Sequence, residues 1–545
     1  MHTTKITRTL ALAGFAPAGK LSHLYCGLLP VLALFAATLS KLNWGKRAYA
    51  VFVLGATAAM ALPAQTLTTL YSFDGTDGFA PQGALVQATN GDFYGTTYAG
   101  GANPGFFGSG AGTVFKTTSS GTLTTLYSFC SQGGDLCTDG EQPTAGVVQA
   151  SNGDFYGTTF FTGPTGVGTV FKITSSGTLT TLHAFCSQSG CADGENPNGL
   201  VQATNGDFYG TTYEGGANNS GTVFKITPSG KLTTLYSFCS QSECTDGGLP
   251  RAGLIQADNG DLYGTTGGRP GTESYGTVFK ITPSGTLTTL YRFCSQSGCT
   301  DGEEPYAGLV QATNGDLYGT TAYGGANCAP LGCGTVFKIT PTGTLKTLYS
   351  FCSQSGCTDG ETPYAGLVQA TDGDLYGTTS TGGAGANCAA NFGLCGTVFK
   401  ITASGTLTTL YNFCAQSGCT DGETPDGGLV QATNGDLYGT TEYGGANCTL
   451  NFPPGCGTVF SMSVGLGPFV ETRRTYGTVG AVVEILGNNL TGATSVSFNG
   501  TAADFEVLSS SLIGTKVPAG ATTGTVQVVT PSGTLSSNVP FRVLP

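Results

Sequence analysis

Histidine is nearly missing from this chain: there are three in 545 residues, and His2 and His23 fall within the first 64. The third, His183, stands in "LTTLHAF" where sibling segments read "LTTLYSF", which is a packing position inside a repeated strand. A Ser-His-Asp triad or a histidine-based metal centre therefore lacks its parts. The single tryptophan, Trp44, also lies in the first 64 residues, so tyrosine has to serve wherever a sugar needs an aromatic platform. Charge is sparse too, at 10% of residues, which excludes long helices laced with ion pairs. Residues 1–64 hold six basic residues and no acidic one, leaving 15 basic against 33 acidic, a net −18, for the rest. Such a body repels phosphate backbones, and nucleic acid is not an expected partner. Carboxylates are the only catalytic groups in quantity, and no pair of them stands out from the repeated turns. No catalytic residue is assigned, and the sequence points away from an enzyme, a carboxylate-based glycan-active enzyme being the alternative.

What is abundant is glycine, 88 residues, interspersed with short runs rich in Thr, Tyr, Val and Phe. That is the composition of many short strands joined by tight turns. The signature Gly-Asp-(Phe/Leu)-Tyr-Gly-Thr-Thr begins at Gly91, Gly153, Gly206, Gly260, Gly315, Gly373 and Gly435, at intervals of 53 to 62 residues. Each unit reads as four strands: "AGLVQA", the turn "TNG", "DLYGTTAY", a longer loop, "GTVFKIT", the turn "PTG" and "TLKTLYSF". Asn-Gly and Pro-x-Gly between β-rich runs are hairpin signals. Seven such units predict an all-β, seven-bladed β-propeller over residues 65–464. The seventh unit ends at "GTVFSMSVG" without a fourth strand, while a lone "LTTLYSF" begins at Leu67. An N-terminal strand completing the last blade would close the ring and remove a raw edge.

The cysteines are paired along the sequence. Apart from Cys26, they form nine close couples: Cys130/Cys137, Cys186/Cys191, Cys239/Cys244, Cys294/Cys299, Cys328/Cys333, Cys352/Cys357, Cys388/Cys395, Cys414/Cys419 and Cys448/Cys456. Local disulfides in an oxidising compartment are expected. Thiolate metal binding is the rival, but accompanying histidines and the two-residue zinc spacing are lacking, and no metal site is assigned. Residues 1–64, with Lys46 and Arg47 before "AYAVFVLGATAAMALPA", read as a signal peptide or an N-terminal membrane leader. The earlier run "LYCGLLPVLALFAATL" leaves an uncleaved membrane segment as the alternative.

The unit "GLVQATNGDLYGTT…GTVFKITPSGTLTTLYSF" resembles the Gloeobacter/Verrucomicrobia tandem repeat over roughly residues 66–463. That resemblance implies a bacterial protein that is secreted, periplasmic or at the cell surface, and says nothing of mechanism. The end "SNVPFRVLP" lacks the apolar span and basic tail of the family's anchored members. Residues 465–545 alternate apolar and polar residues in short strands, predicting a β-sandwich. They resemble an IPT/TIG domain, an immunoglobulin-like module that usually serves as a spacer or interaction surface.

Strand order places both sets of cysteines on one face of the propeller, opposite the short turns. Staples there would hold long glycine-rich loops in place on the face where binding is usually built, or simply protect an exported protein from proteases. Acidic loops follow them: Asp139/Glu141, Asp193/Glu195, Asp301/Glu303, Asp359/Glu361 and Asp421/Glu423, with Asp77 and Asp246 in less complete copies. Structural turns are the first reading and calcium binding the second, no other cofactor being implied. Invariant positions such as Gln87, Gln149, Gln202, Gln256, Gln311, Gln369 and Gln431 build the blades or line the channel. Variable positions inside a fixed motif are better specificity candidates. Directly after the loop proline come Gln82, Thr144, Asn198, Arg251, Tyr306, Tyr364 and Asp426. Near the channel mouth, this mixture of polar and aromatic groups suits a glycan or protein ligand, although ordinary loop drift would give the same variation. The sequence thus predicts a monomeric binding or scaffold module, with a purely structural envelope protein as a further alternative.

Overall fold

Alternation of β-branched and aromatic residues makes each repeat a small antiparallel sheet. The computed structural model describes residues 65–545 except for 106–108, 133–136, 164, 269–273, 328–331, 389–394 and 449–454. The predicted leader and Cys328 lie outside the described residues. Seven four-stranded sheets arise from the repeats, and we number these blades one to seven in the order of their signatures. In blade five the strands are Val310–Gln311, Leu317–Thr321, Thr335–Ile339 and Leu345–Ser350. The second strand is buried at every residue, because neighbouring blades cover both of its sides. Its central glycine is a packing requirement: an ideal Cβ on Gly319 would sit 2.7 Å from the Phe337 ring.

Contacts between blades repeat around the ring. A phenylalanine at the end of each outer strand meets a phenylalanine of the next blade edge-on, seven times, at 5.1–5.3 Å. Each inner-strand glutamine accepts a backbone N–H from the preceding blade's turn at 2.8–3.0 Å, the seventh bond running from Thr433 to Gln87 of blade one. The same amide donates to its own turn carbonyl at 2.9–3.4 Å. The invariant glutamines are therefore the hydrogen-bonded hoop of the ring. Closure comes from Thr66–Ser72, which pairs antiparallel with Thr458–Ser463, placing Leu67 opposite Met462.

The C-terminal module is a sandwich of two four-stranded sheets plus a parallel pair, Tyr476–Thr478 with Arg542–Leu544. Its core is built from Val483, Ile485, Val496, Phe498, Ile513, Val526, Val528 and Phe541. It docks on the propeller face that carries the short turns. Arg473 donates to the Gln149 carbonyl, Ser511 to that of Thr89 and Arg542 to that of Asp258. Among the described residues, no helix is long and apolar enough to cross a membrane.

Candidate functional site

The opposite face holds the stapled loops. Eight of the nine predicted couples form disulfides, each within its own loop, and Cys333 is disulfide-bonded as well. The pairing is as expected, and several of the staples lie deeper than their glycine-rich loops suggest. Cys137, Cys244, Cys395 and Cys456, each the second cysteine of its couple, are buried at no more than 6% exposure, and so are Cys333 and Cys419. The physical reason is that a disulfide sulfur carries no charge and no strong donor, so the loop turns it inward as apolar filling. Cys456 packs with Phe73, Tyr438 and Val459, and Cys395 clusters with Cys388, Cys414 and Cys419, which sets two staples against each other. Backbone contacts hold the four in place. The carbonyls of Cys137 and Cys244 accept from Gly140 and Gly247 at 2.7 and 2.9 Å, while those of Cys395 and Cys456 accept from Thr424 and Ala80 of the next blade's loop at 3.0 and 3.1 Å. These cysteines underlie the face and are covered by it.

The aspartate that follows each junction staple is fully buried in six blade junctions. Asp359 accepts from the Tyr349 hydroxyl at 2.7 Å, from Ser353 N at 2.9 Å and Oγ at 3.0 Å, and from Gln354 N at 3.2 Å. His183 takes the tyrosine's place against Asp193, with Nε2 at 3.0 Å. These carboxylates lock each stapled loop to the outer strand. Internal donors occupy both oxygens of Asp359, which leaves it little capacity for calcium, whereas Asp139 Oδ1 is buried without a donor. Cys333, Cys352, Cys357 and Glu361 converge within 4.8 Å, but disulfide sulfurs are not thiolates, and the glutamate stays the only anionic donor.

Inside this ring of loops, the inner strands approach the axis through their glycines. An ideal Cβ on Gly253 would lie 2.8 Å from the Gly199 carbonyl, and one on Gly146 2.1 Å from that of Ala84. Backbone thus packs on backbone here, and the residues that precede these glycines stand at the mouth. Arg251 is exposed, and its guanidinium lies between two rings, 4.7 Å from the centre of Tyr213 and 4.4 Å from that of Tyr306. Tyr306 stacks on Tyr364 at 5.7 Å, and the Tyr364 hydroxyl meets that of Tyr323 at 2.9 Å. Phe160 extends the row at 6.3 Å from Tyr213. Blade four has Gly267 at the corresponding place, where a Cβ would press within 3.1 Å of Tyr306. The result is a continuous aromatic arc with one cation set into it.

Next to Tyr364 the character changes to acid, Asp426 being near enough to act on its phenol. Asp426 is hydrogen-bonded by Ser380 and to the carboxyl of Glu442, and Glu442 also accepts from Gln82 Nε2 at 2.9 Å. Glu442 is only 8% exposed. Burial, and then the neighbouring Glu442, push the Asp426 carboxyl well above its ordinary range. Burial also raises the phenols of Tyr306, Tyr364 and Tyr443, the last of which bonds Glu442. All three therefore keep their protons at neutral pH, Tyr306 donating to Glu304 and Tyr443 to Glu442. Two carboxyls in hydrogen-bond contact are too close to flank a glycosidic bond, which needs about 5–5.5 Å between them for retention and about 6.5–9.5 Å for inversion.

A raised carboxyl pKa has a defined stability signature. The folded state holds the proton over a range in which the unfolded chain, near 3.8, has lost it. The contribution of Asp426 is thus fully present below 3.8 and is lost as pH rises through the folded value. Asp426→Asn keeps a donor toward Glu442 and an acceptor for Ser380 without the titration. The variant is expected to melt measurably above the parent at pH 8 and level with it at pH 4, as calorimetry would read. Equal melting temperatures at both pH values would show that Asp426 does not titrate as described.

Of the sequence candidates, Arg251, Tyr306 and Tyr364 come together in the arc, and Gln82 and Asp426 meet through Glu442. Thr144 occupies the blade between Gln82 and Asn198 and is half-buried. Asn198 departs from the expectation. It is 6% exposed, and its amide donates to Thr211 Oγ1 at 2.9 Å and to the Pro250 carbonyl at 2.8 Å. Blade three has one residue fewer between Pro197 and Gln202 than blade four has between Pro250 and Gln256, which draws Asn198 inward as a bracket between blades. A second row was missed: Phe160, Tyr213, Ser380 and Glu442, directly after Gly-Thr-Thr, with Tyr323 and Tyr443 one residue further on. Its signal was the same as for the first row, variation at the border of a fixed motif.

The model of the Gloeobacter/Verrucomicrobia repeat matches residues 54–192 and 187–391, and that of the IPT/TIG domain residues 471–543. No curated protein matches the chain. Among solved structures, the chain is similar to a fungal alcohol oxidase of the AA5 family in complex with copper. That likeness has 12% identity and a TM-score of 0.50, over 88% of this chain and 99% of the other. A PQQ-bound aldose sugar dehydrogenase from Streptomyces coelicolor matches at 12% identity with a TM-score of 0.34, over 74% and 100% of the two chains. Likeness at this level concerns the fold alone.

Proposed function

The chain belongs to the Gloeobacter/Verrucomicrobia repeat family and carries an IPT/TIG domain, and from that premise we propose that it is an extracellular bacterial binding protein that holds a glycan at the mouth of its propeller. Repeat, IPT/TIG module and disulfides together are those of an extracellular-type binding or structural protein. The observation that carries the finer reading is the arc Tyr213–Arg251–Tyr306–Tyr364 continued by the Asp426/Glu442 pair. Tyrosine faces pack against the apolar side of a pyranose, while phenols and carboxyls serve its hydroxyl groups. Stapled loops on a rigid ring keep this surface pre-organised, so little ordering entropy opposes binding. The close carboxyl pair supports holding a sugar more than cleaving it.

The test is binding of the full chain, disulfides formed, to an array of bacterial and plant polysaccharides with and without calcium. A saturable hit is expected, weakened at least about tenfold by Tyr306→Ala or Tyr364→Ala, the loss of a stacked ring being worth more than about 1.4 kcal/mol. Absence of binding to any glycan in either condition would overturn the reading and leave a protein ligand or an envelope scaffold. Turnover of a bound glycan, lost on changing an acidic residue, would instead favour an enzyme.

A further inference from the structure

The far end of the axis holds a second, separate cavity. It has a volume of about 770 Å³ and lies between the short turns of the propeller and the C-terminal sandwich. The propeller contributes four of the seven hoop glutamines and the turn residues Thr204 and Asp258, and the sandwich contributes Arg473, Arg474, Tyr476 and Arg542. Three guanidinium groups around one cavity are unexpected in a body of net charge −18. Some cations of the ring are matched: Lys338 pairs with Asp316 at 3.0 Å and Lys400 with Asp374 at 2.9 Å, and Lys172, Lys225 and Lys280 repeat the motif, whereas Arg251 and Arg292 are in no such pair with a described residue. Among the described residues, none of the three cavity arginines pairs with a carboxylate.

Docking accounts for only part of this. Arg473 and Arg542 each use one terminal nitrogen on a propeller carbonyl, Gln149 and Asp258, and a guanidinium carries five N–H donors. Arg474 makes no docking bond; its guanidinium lies 6.0 Å from the centre of the Tyr476 ring. Two carboxyl groups, Asp258 and Glu471, also line the cavity. Burial pushes the Glu471 carboxyl above its ordinary range, and the Arg473 charge opposes that shift.

We propose that this cavity binds a small carboxylate-bearing polar ligand of the size of an acidic sugar, with Arg474 as its principal anchor and the free donors of Arg473 and Arg542 beside it. The volume is that of a small-molecule site, and planar guanidinium forks match a carboxylate in two parallel hydrogen bonds. Thr523 and Asn538 on the cavity wall supply partners for hydroxyl groups, and the Tyr476 ring a face for the sugar. The sandwich is thereby half of a binding site as well as a spacer.

The experiment is titration calorimetry of the full chain with glucuronate and galacturonate, with glucose as the neutral control and inorganic sulfate as the bare anion. A uronate is expected to bind saturably, glucose to bind at least about tenfold more weakly, and sulfate to compete. Arg474→Gln should reduce uronate affinity at least about tenfold without changing the melting temperature, because Arg474 holds no docking bond. Tyr306→Ala, at the other mouth, should leave it unchanged, so that failure of the glycan reading and failure of this one are told apart. Unchanged affinity in Arg474→Gln, equal binding of glucose, sulfate binding as tightly as the uronates, or no uronate binding would each overturn the proposal.

Discussion

Excising Thr66–Phe73 is expected to convert a closed ring into an associating one and to lower its melting temperature by about 5–10 °C, on the order of 5–10 kcal/mol at about 1 °C each in a body of this length. The segment is far apart in sequence from its partner strand, yet it provides that blade's whole outer edge. Without it, the backbone of Thr458–Ser463 faces water as a raw edge, ready to pair with another chain. Phe73 is fully buried and meets Phe115 of blade one at 5.2 Å. Its replacement by alanine alone should cost about 3–5 kcal/mol. Leu67 and Met462 contribute to a different cluster, on the blade-six side, so the excision weakens both flanks of blade seven. Size-exclusion chromatography and calorimetry check the result, and a synthetic Thr66–Phe73 peptide added in trans should restore part of the stability. A truncated chain that stays monomeric and melts within about 2 °C of the parent would show that closure is held elsewhere.

That closure was legible because a repeat exposes its own exceptions. Seven signatures with six following outer strands left one vacancy, and "LTTLYSF" at Leu67 matched it residue for residue. The blades were equally readable, since Asn-Gly turns, strand-period alternation and the glycine beneath Phe337 are local choices that agree with the global fold. The hoop glutamines were recognisable as invariant, but their partners were not. Each bonds a turn about 50 to 60 residues upstream, save the one that crosses from blade seven to blade one, and such pairing appears only in three dimensions.

The site was legible by half. Variation after the loop proline pointed to Arg251, Tyr306 and Tyr364, which do meet. The opposing row of Tyr213, Ser380 and Glu442 lay unnoticed at the end of Gly-Thr-Thr, where variation reads as the motif running out. Asn198 was misplaced because counting from the proline ignored the one-residue contraction of blade three, and a single residue on a strand reverses the side chain's direction. Cysteine spacing disclosed the couples but not their depth: Cys137, Cys244, Cys395 and Cys456 sit in glycine-rich loops that read as surface, and only the packing of neighbouring blades covers them. The arginine-lined cavity was beyond reach altogether. It depends on how a second module settles on the first, and no local pattern encodes that docking.

Asp359→Ala is expected to destabilise the protein by about 3–4 kcal/mol, more than removal of the disulfide whose loop it anchors. The carboxylate gathers four donors, from Tyr349, both groups of Ser353 and Gln354 N, and it is fully buried. Bonds to a charged acceptor contribute about 1.5–3 kcal/mol each, though Ser353 and Gln354 are exposed and can turn to water once the loop opens. The Tyr349 phenol has less freedom: burial first, and the Asp359 carboxylate with it, push it up to about 12, so it donates at every physiological pH. The staple Cys352–Cys357, by contrast, closes a loop of about six residues, which removes only about 2 kcal/mol of unfolded-chain entropy. Denaturant unfolding of Asp359→Ala, Tyr349→Phe and the double change Cys352→Ser with Cys357→Ser should rank them in that light, the alanine variant lowest. Tyr349→Phe, which removes one donor and leaves the carboxylate three, should cost about half as much. Should the double serine variant prove the least stable of the three, the disulfide rather than the buried carboxylate would be what orders the binding face.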